Sequence, residues 1–300
     1  MIGNTPLIEL SRLHSGPGRL FAKAEFVQPG GSVKDRAAKT IIEMAYEKKI
    51  LSPRKPVIEQ TSGNMGAGLA VVCAIKGNPF TAVMSAGNSF ERVKMLRGLG
   101  AEVLQVDQVD GEPGQVTGKD IAKATEVAIN LAKEQNGYYV DQFNNPGSII
   151  AHEKSTGPEL WNSLGKNLDA FITAVGSGGT FVGTSTFLKN KNSNIKCLAV
   201  EPLGAEILAK KIVSKPKHQL QGIGYGIKPP HWCSNLADGY LAVSDEEANH
   251  YRMLLAFKEG LYVGFSAAAN VAASVNYLNS HPSGELLTVA TILCDTGLKY

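Results

Sequence analysis

Short apolar runs alternate with helix-like segments along most of this chain, and this alternation limits the fold more than any other feature. Runs rich in β-branched residues lie at 56–61, 80–84 and 102–107. Segments with apolar residues at helical spacing follow them, at 65–76, 89–99 and 117–135. Strands that are apolar throughout are typical of parallel sheets that helices cover on both faces. The sequence therefore predicts an α/β fold with parallel sheets covered by helices.

The same order of elements returns in the second half of the chain. We predict strands at 170–175, 196–200 and 286–293, with a helix near 180–189. An uncharged run at 261–280 is long enough to raise the question of a membrane span, but its polar residues make it a poor lipid-facing helix. We interpret it as an alanine-rich buried helix. Glycines and prolines predict loop and turn at 212–231.

Composition narrows the class of protein. The 300 residues carry 30 Lys and Arg against 27 Asp and Glu, a net charge of +3, which is too small a surplus to indicate nucleic acid or an anionic membrane as partner. The opening residues show no basic stretch before an apolar one, so we expect no secretory signal and a cytoplasmic location. The four cysteines are far apart, without a CxxC pair. They predict buried thiols, and neither a metal site nor a disulfide framework.

The length suggests about two domains. No linker rich in proline, glycine or serine separates two halves of the chain, and the stretch at 111–114 is short enough to be a surface loop. We therefore expect the two domains to be intertwined in sequence.

One lysine follows a glycine turn. In the stretch PGGSVKDR at 29–36, the turn brings Lys34 to the first turn of a predicted helix. A lysine in this position becomes a Schiff-base nucleophile if its surroundings lower its pKa. The alternative is an ordinary solvated lysine at a helix start.

Three further glycine-rich loops follow predicted strands. The loop TSGNMG at 61–66 opens a helix and suits a carboxylate, or it is an ordinary capped turn. The loop GSGGT at 176–180 suits a single phosphate, because it matches neither the dinucleotide fingerprint nor a Walker motif. The loop CDTG at 294–297 places the Thr296 hydroxyl at the carboxyl edge of a sheet, or it is a simple turn.

A phosphate loop, a carboxylate loop and an imine-forming lysine together suit pyridoxal phosphate acting on an amino acid. The sequence also resembles the cysteine synthase and cystathionine β-synthase family of pyridoxal-phosphate enzymes. The stretches that carry this resemblance, in order, are GNTPL at 3–7, PGGSVKDR at 29–36, TSGN at 61–64, QFNNP at 142–146, TGPELW at 156–161, GSGGT at 176–180, VEP at 200–202 and GIGYG at 222–226.

The resemblance implies a fold type II enzyme that usually forms a homodimer. Such an enzyme, similar to the tryptophan synthase β subunit, has two intertwined open twisted sheets covered by helices. A smaller domain at 41–142 would be inserted into a larger, cofactor-binding domain at 1–40 and 143–300. The cofactor set that it implies is Lys34 as the imine lysine, Asn64 at the pyridine 3′ oxygen, Gly176, Ser177, Gly178, Gly179 and Thr180 at the phosphate, and Thr296 facing the pyridine nitrogen. The substrate set is Thr61, Ser62, Gly63, Met65, Gln142 and Gly222.

The activity that the resemblance implies is β-replacement on a serine-derived amino acid through an aminoacrylate intermediate. O-acetylserine and sulfide would give cysteine and acetate, and the tail of a serine acetyltransferase is a conceivable partner. Alternatives are a cystathionine, cyanoalanine or diaminopropionate synthase, a catalytically weak regulatory homologue, and, on the α/β pattern and a glycine loop alone, a nucleotide-dependent oxidoreductase. Met65 stands where the family usually has threonine, so it either tunes substrate choice or packs in the core.

Overall fold

A computed structural model describes residues 1–112, 116–210, 212–215, 217–281 and 286–300. The predicted loop at 111–114 is only partly covered, because residues 113 and 114 lie outside the described residues, as does residue 216 of the predicted loop at 212–231. In the described part of 212–231 the chain forms no helix or strand, which confirms that prediction.

The described residues form ten strands and nine α-helices. The strands are β1 (Leu7–Glu9), β2 (Arg19–Ala24), β3 (Val57–Gln60), β4 (Phe80–Ser85), β5 (Glu102–Val106), β6 (Tyr138–Tyr139), β7 (Ala170–Ala174), β8 (Lys196–Pro202), β9 (Gly239–Val243) and β10 (Thr288–Leu293). The helices are α1 (Lys34–Glu47), α2 (Asn64–Lys76), α3 (Phe90–Gly98), α4 (Gly118–Glu134), α5 (Gly147–Ala151), α6 (Gly157–Leu164), α7 (Gly179–Lys191), α8 (Asp245–Leu254) and α9 (Phe265–Asn279). A π-helical turn, His152–Thr156, joins α5 to α6.

The chain divides into two compact units, and one interrupts the other in sequence. The small unit comprises residues 29–148 with Ile2, and the large unit comprises Met1, 3–28 and 149–300. The small unit spans more residues than the predicted 41–142. The whole of α1 packs along α2, so the turn that carries Lys34 belongs to the same unit. Lys34 therefore belongs to the small unit, not to the larger domain that the sequence suggested.

The large unit is built on a six-stranded sheet with the order β1-β2-β10-β7-β8-β9. Its pairs are parallel except for β1 against β2, so the prediction of parallel strands is correct for all but the edge strand β1. Helix α9 contributes its alanines and valines to the core beside this sheet, which confirms the buried alanine-rich helix. No helix among the described residues has both the length and the apolar character needed to cross a membrane.

The small unit is built on a four-stranded parallel sheet with the order β5-β4-β3-β6. Its core joins residues of α1, α2 and the sheet. Cys73 in α2 and Cys197 in β8 are buried free thiols, as predicted. The same prediction is wrong for Cys233 and Cys294, which are partly exposed because one lies in a loop and the other follows the end of β10.

Candidate active site

Lys34 is the first residue of α1, as the glycine turn predicted. Its backbone N–H donates to the Ser32 hydroxyl at 3.2 Å, and the side chain is only partly buried. The turn before it is held by the buried Asp35 carboxylate, which accepts a hydrogen bond from the Gly30 N–H. A Cβ at Gly30 would lie 2.6 Å from Asp35 Oδ1. Glycine at this position therefore allows the turn to close on the carboxylate and fixes where Lys34 begins its helix.

Helix α2 packs closely against the turn that carries Lys34. A Cβ at Gly68 would come within 3.1 Å of both the Asp35 Cα and the Ala38 Cβ. Because α2 begins at Asn64, this contact ties the lysine turn to the helix that follows the predicted carboxylate loop. Two predicted site segments are thus brought together within the small unit.

The carboxylate loop is organised by the Thr61 hydroxyl. Its oxygen accepts hydrogen bonds from the Gly66 N–H at 3.1 Å and from the Gly63 N–H at 3.5 Å. The Ser62 hydroxyl accepts from the Arg92 guanidinium at 3.3 Å. Arg92 was not singled out in the sequence, where it looks like one more charged residue of an amphipathic helix. The loop therefore combines hydroxyls, a helix N-terminus and a nearby cation, which suits an anionic ligand.

Met65 packs in the core of the small unit. Its side chain is 3% exposed and belongs to the same apolar cluster as Ile41, Leu69 and Leu96. Of the two interpretations that the sequence left open, this burial favours core packing over side-chain contact with a substrate.

Glu59 links the carboxylate loop to the segment that carries Gln142. Its carboxylate, buried on β3 two residues before Thr61, accepts from the Asp141 N–H at 2.8 Å and from the Gln142 N–H at 3.3 Å. Burial raises the pKa of Glu59 to about 8, although the two backbone N–H groups work in the opposite direction. Glu59 was not singled out from the sequence, because a glutamate in a predicted strand is ordinarily interpreted as a surface residue.

We expect Glu59 to make stability depend on pH. In the unfolded chain Glu59 loses its proton above pH 4.5, whereas the folded protein keeps it until about pH 8, so the native state binds more protons in this window. Its contribution to the unfolding free energy should therefore fall as pH rises, by about 1.4 kcal/mol per pH unit, and level off above pH 8. Urea unfolding between pH 5 and pH 9 measures this slope.

The Glu59→Gln variant should lose this part of the slope, because its side chain has no proton to exchange. Glu134→Gln, at the exposed end of α4, is the matched control and should keep the wild-type slope. Parallel pH profiles for wild type and Glu59→Gln would show that Glu59 does not hold its proton as argued.

The phosphate loop lies between β7 and α7 in the large unit. Gly178 has φ +94° at the N-cap of α7, and a Cβ at Gly176 would overlap the carbonyl oxygen of Gly222. Gly222 itself has φ +89°. The structure thus brings Gly222 beside the loop, and the close backbone approach explains why glycine is needed on both sides. Backbone N–H groups at the start of α7 are available to an anion such as a phosphate.

Asn270 of α9 connects the carboxyl ends of β7 and β10. The phosphate loop and Thr296 follow these two strands. Its Oδ1 accepts from the Ala174 N–H at 2.7 Å, and its Nδ2 donates to the Ile292 carbonyl at 2.8 Å. The phosphate loop follows Ala174, and Thr296 lies shortly after Ile292. The Thr296 hydroxyl oxygen accepts from the Leu298 N–H at 3.2 Å. Neither Asn270 nor the buried His152, which contacts Thr180, was identified from the sequence, because their partners are distant along the chain.

These residues fit pyridoxal phosphate. The loop at 176–180 has the glycines and the helix start that one phosphate needs, and the small unit supplies a lysine beside a loop suited to a carboxylate. The predicted residues are gathered in two sets, one in each unit. The small unit holds Lys34, Thr61, Ser62, Gly63, Asn64 and Gln142, and the large unit holds Gly176, Ser177, Gly178, Gly179, Thr180, Gly222 and Thr296.

Comparison with known proteins agrees with this chemistry. The family model described as pyridoxal-phosphate dependent enzyme matches residues 1–295. Cysteine synthase 3 of Caenorhabditis elegans is 36% identical over 301 residues, covering 100% of this chain and 86% of that protein. The crystal structure of a hydrogen sulfide-producing enzyme from Fusobacterium nucleatum has a TM-score of 0.91 and 33% identity, covering 100% of this chain and 95% of that one.

A second solved structure, an O-acetylserine dependent cystathionine beta-synthase from Helicobacter pylori, has a TM-score of 0.88 and 33% identity, covering 100% of this chain and 94% of that one. Because the family model and these relatives match almost the whole chain, the chain belongs to the cysteine synthase and cystathionine β-synthase family of pyridoxal-phosphate dependent enzymes.

Proposed function

We propose that this enzyme is a cysteine synthase, which replaces the acetate group of O-acetylserine with sulfide to give cysteine. The observation that carries the proposal is that the small unit contains both Lys34 and the loop at 61–64, which has two hydroxyl side chains and leads into the start of α2. Such a loop recognises the carboxylate of an amino acid, and the lysine acts at the adjacent carbon. The 36% identical relative from Caenorhabditis elegans is named a cysteine synthase, which supports cysteine as the product.

Each residue then has a defined task. Pyridoxal phosphate, when bound, supplies the electron sink for the reaction at the α-carbon. Lys34 would hold the cofactor, and its Nζ would act as the general base that takes the α-proton of the substrate. The carboxylate is held by Thr61, Ser62 and Gln142, and Gly63 lets the loop backbone approach it.

The remaining residues hold the cofactor. Asn64 would donate to the 3′ oxygen of the pyridine ring, and Thr296 would offer a neutral hydroxyl to the ring nitrogen. Residues 176–180 would bind the phosphate, and Gly222 packs beside them. A neutral group opposite the ring nitrogen limits the electron sink, which favours elimination at the β-carbon over other outcomes.

We further propose a cytoplasmic homodimer whose substrates are a small amino acid and sulfide, with the C-terminal tail of a serine acetyltransferase as a regulatory ligand of the substrate loop. The anion-binding character of the loop at 61–64 supports the last point, because a peptide tail ends in a carboxylate. Sedimentation tests whether the protein is a dimer. Titration with a synthetic tail peptide tests whether the acetyltransferase tail binds.

The test is a visible absorbance spectrum of the purified protein, taken before and after O-acetylserine and again after sulfide, with the product identified by mass spectrometry. We expect the cofactor band to change with O-acetylserine, to return with sulfide, and cysteine to accumulate. Two other substrate pairs are tested in the same way: serine with homocysteine, and O-phosphoserine with sulfide. Cystathionine formation from serine and homocysteine, without cysteine formation from O-acetylserine and sulfide, would contradict the proposal.

A further inference from the structure

A buried histidine lies between two threonine hydroxyls next to the phosphate loop. His152 is 1% exposed. Its Nε2 lies 3.2 Å from the Thr180 Oγ1, and its Nδ1 lies 2.9 Å from the Thr156 Oγ1. Thr180 is the last residue of the loop at 176–180 and is partly exposed, whereas Thr156 is fully buried. The imidazole therefore connects the loop to the interior of the large unit.

Close helix packing holds this imidazole in place. His152 begins the π-helical turn between α5 and α6, a distortion that is frequent at functional sites. A Cβ at Gly183 of α7 would overlap the Ile149 carbonyl oxygen, and a Cβ at Gly157 would lie 2.7 Å from the Phe187 Cβ. Helix α7 thus packs closely against both α5 and α6 through glycines, which leaves His152 little room to move away from Thr180.

The tautomer of His152 decides what Thr180 can do. A neutral imidazole has one N–H donor and one acceptor nitrogen. If the proton is on Nε2, it is donated to the Thr180 oxygen, and the threonine's own proton remains available for another acceptor. If the proton is on Nδ1, Thr180 must donate to Nε2, and its proton is used within the protein.

We propose that His152 is a positioning residue that carries its proton on Nε2 and thereby directs the Thr180 hydroxyl to donate to the cofactor phosphate. The inference rests on the phosphate site proposed above. A phosphate offers oxygen acceptors, so it gains from a hydroxyl proton and gains nothing from a hydroxyl that is already donating elsewhere. The partial exposure of Thr180 at the start of α7 leaves that hydroxyl accessible to such a ligand.

Two substitutions separate the two ring nitrogens. In His152→Gln the side-chain amide takes roughly the place of Nε2, whereas in His152→Asn it takes roughly that of Nδ1. We expect His152→Asn and Thr180→Val each to raise the cofactor dissociation constant at least about tenfold, because a hydrogen bond to a charged group is lost. His152→Gln should remain within about threefold of wild type, and the double variant His152→Asn/Thr180→Val should be no weaker than Thr180→Val.

The measurements are equilibrium dialysis of the holoenzyme, which gives the dissociation constant, and phosphorus NMR of the bound cofactor. The phosphate resonance should move in His152→Asn and Thr180→Val and keep its position in His152→Gln. Equal losses in the Gln and Asn variants, or losses that add in the double variant, would mean that His152 only packs between the helices.

A direct measurement covers the case in which His152→Asn does not fold. Nitrogen NMR of the wild-type holoenzyme reports which ring nitrogen of His152 carries the proton. A proton on Nε2 supports the inference, and a proton on Nδ1 alone overturns it. None of these readouts uses O-acetylserine or sulfide, so failure of the proposed cysteine synthesis would leave this result standing and would be recognised separately.

Discussion

Replacement of Lys34 by alanine is expected to lower kcat for cysteine formation by about 10⁴-fold. The side chain is proposed both to hold the cofactor and to remove the α-proton, and the loss of a positioned general base alone costs up to about 10⁴-fold. The backbone should be unaffected, because alanine is a good helix former and Lys34 is the first residue of α1. Steady-state rates with O-acetylserine and sulfide measure the effect.

Lys39→Ala is the matched control, since Lys39 lies on the same helix and is also only partly buried. It should keep the wild-type rate within about threefold, because a surface substitution of this kind leaves the machinery untouched. Turnover by Lys34→Ala at a rate close to that of Lys39→Ala would show that another group is the base. The visible spectrum adds an independent check, since only Lys34→Ala should change the resting cofactor band.

Replacement of Asn270 by alanine is expected to lower the unfolding free energy by about 3 kcal/mol. The side chain is fully buried and satisfies the Ala174 N–H and the Ile292 carbonyl. Removal of a partner from a buried polar group costs about 1–3 kcal/mol for each group, and here two groups lose their partner at once. Urea unfolding followed by circular dichroism gives the change in free energy.

Asn276→Ala provides the comparison on the same helix. Asn276 is exposed, and its amide donates to Glu247 at 3.2 Å on the surface, so its loss should change stability by less than about 0.5 kcal/mol. Similar effects for the two variants would mean that the ends of β7 and β10 hold together without the amide.

The sequence predicts those parts of the fold that depend on neighbouring residues. Lys34 follows its glycine turn and begins a helix, and α9 is the buried alanine-rich helix, because both features are local patterns of glycine or apolar spacing. Strand β2 was not predicted, since Arg19 and Lys23 interrupt its apolar run. Lys23 is only 2% exposed and pairs with Glu159 at 2.7 Å. That partner is far along the chain, so its presence is visible only in the folded protein.

The candidate site shows the same division. The four glycine-rich segments could be recognised because their residue types and order are local. The residues that hold these segments in place could not be recognised from the sequence. Glu59 reaches the N–H groups of a distant loop, and Asn270 is, in the sequence, only one of the polar residues of the uncharged run at 261–280. Their importance depends on which strands become neighbours, and the residue spacing does not specify that.

The hydrogen-bond arrangement of Thr61 has a consequence for ligand selection. Its oxygen already accepts from both the Gly66 N–H and the Gly63 N–H, so both lone pairs are used and the group that it offers to a ligand is its single proton. A carboxylate, which only accepts, matches this proton, whereas an ammonium or an amide NH₂ would present a donor to a donor. In the proposed site, the loop would therefore favour a group that only accepts, by the direction of the hydrogen bond as well as by charge. A serine-derived compound whose carboxylate is converted to an amide should lose binding even though its shape is nearly preserved.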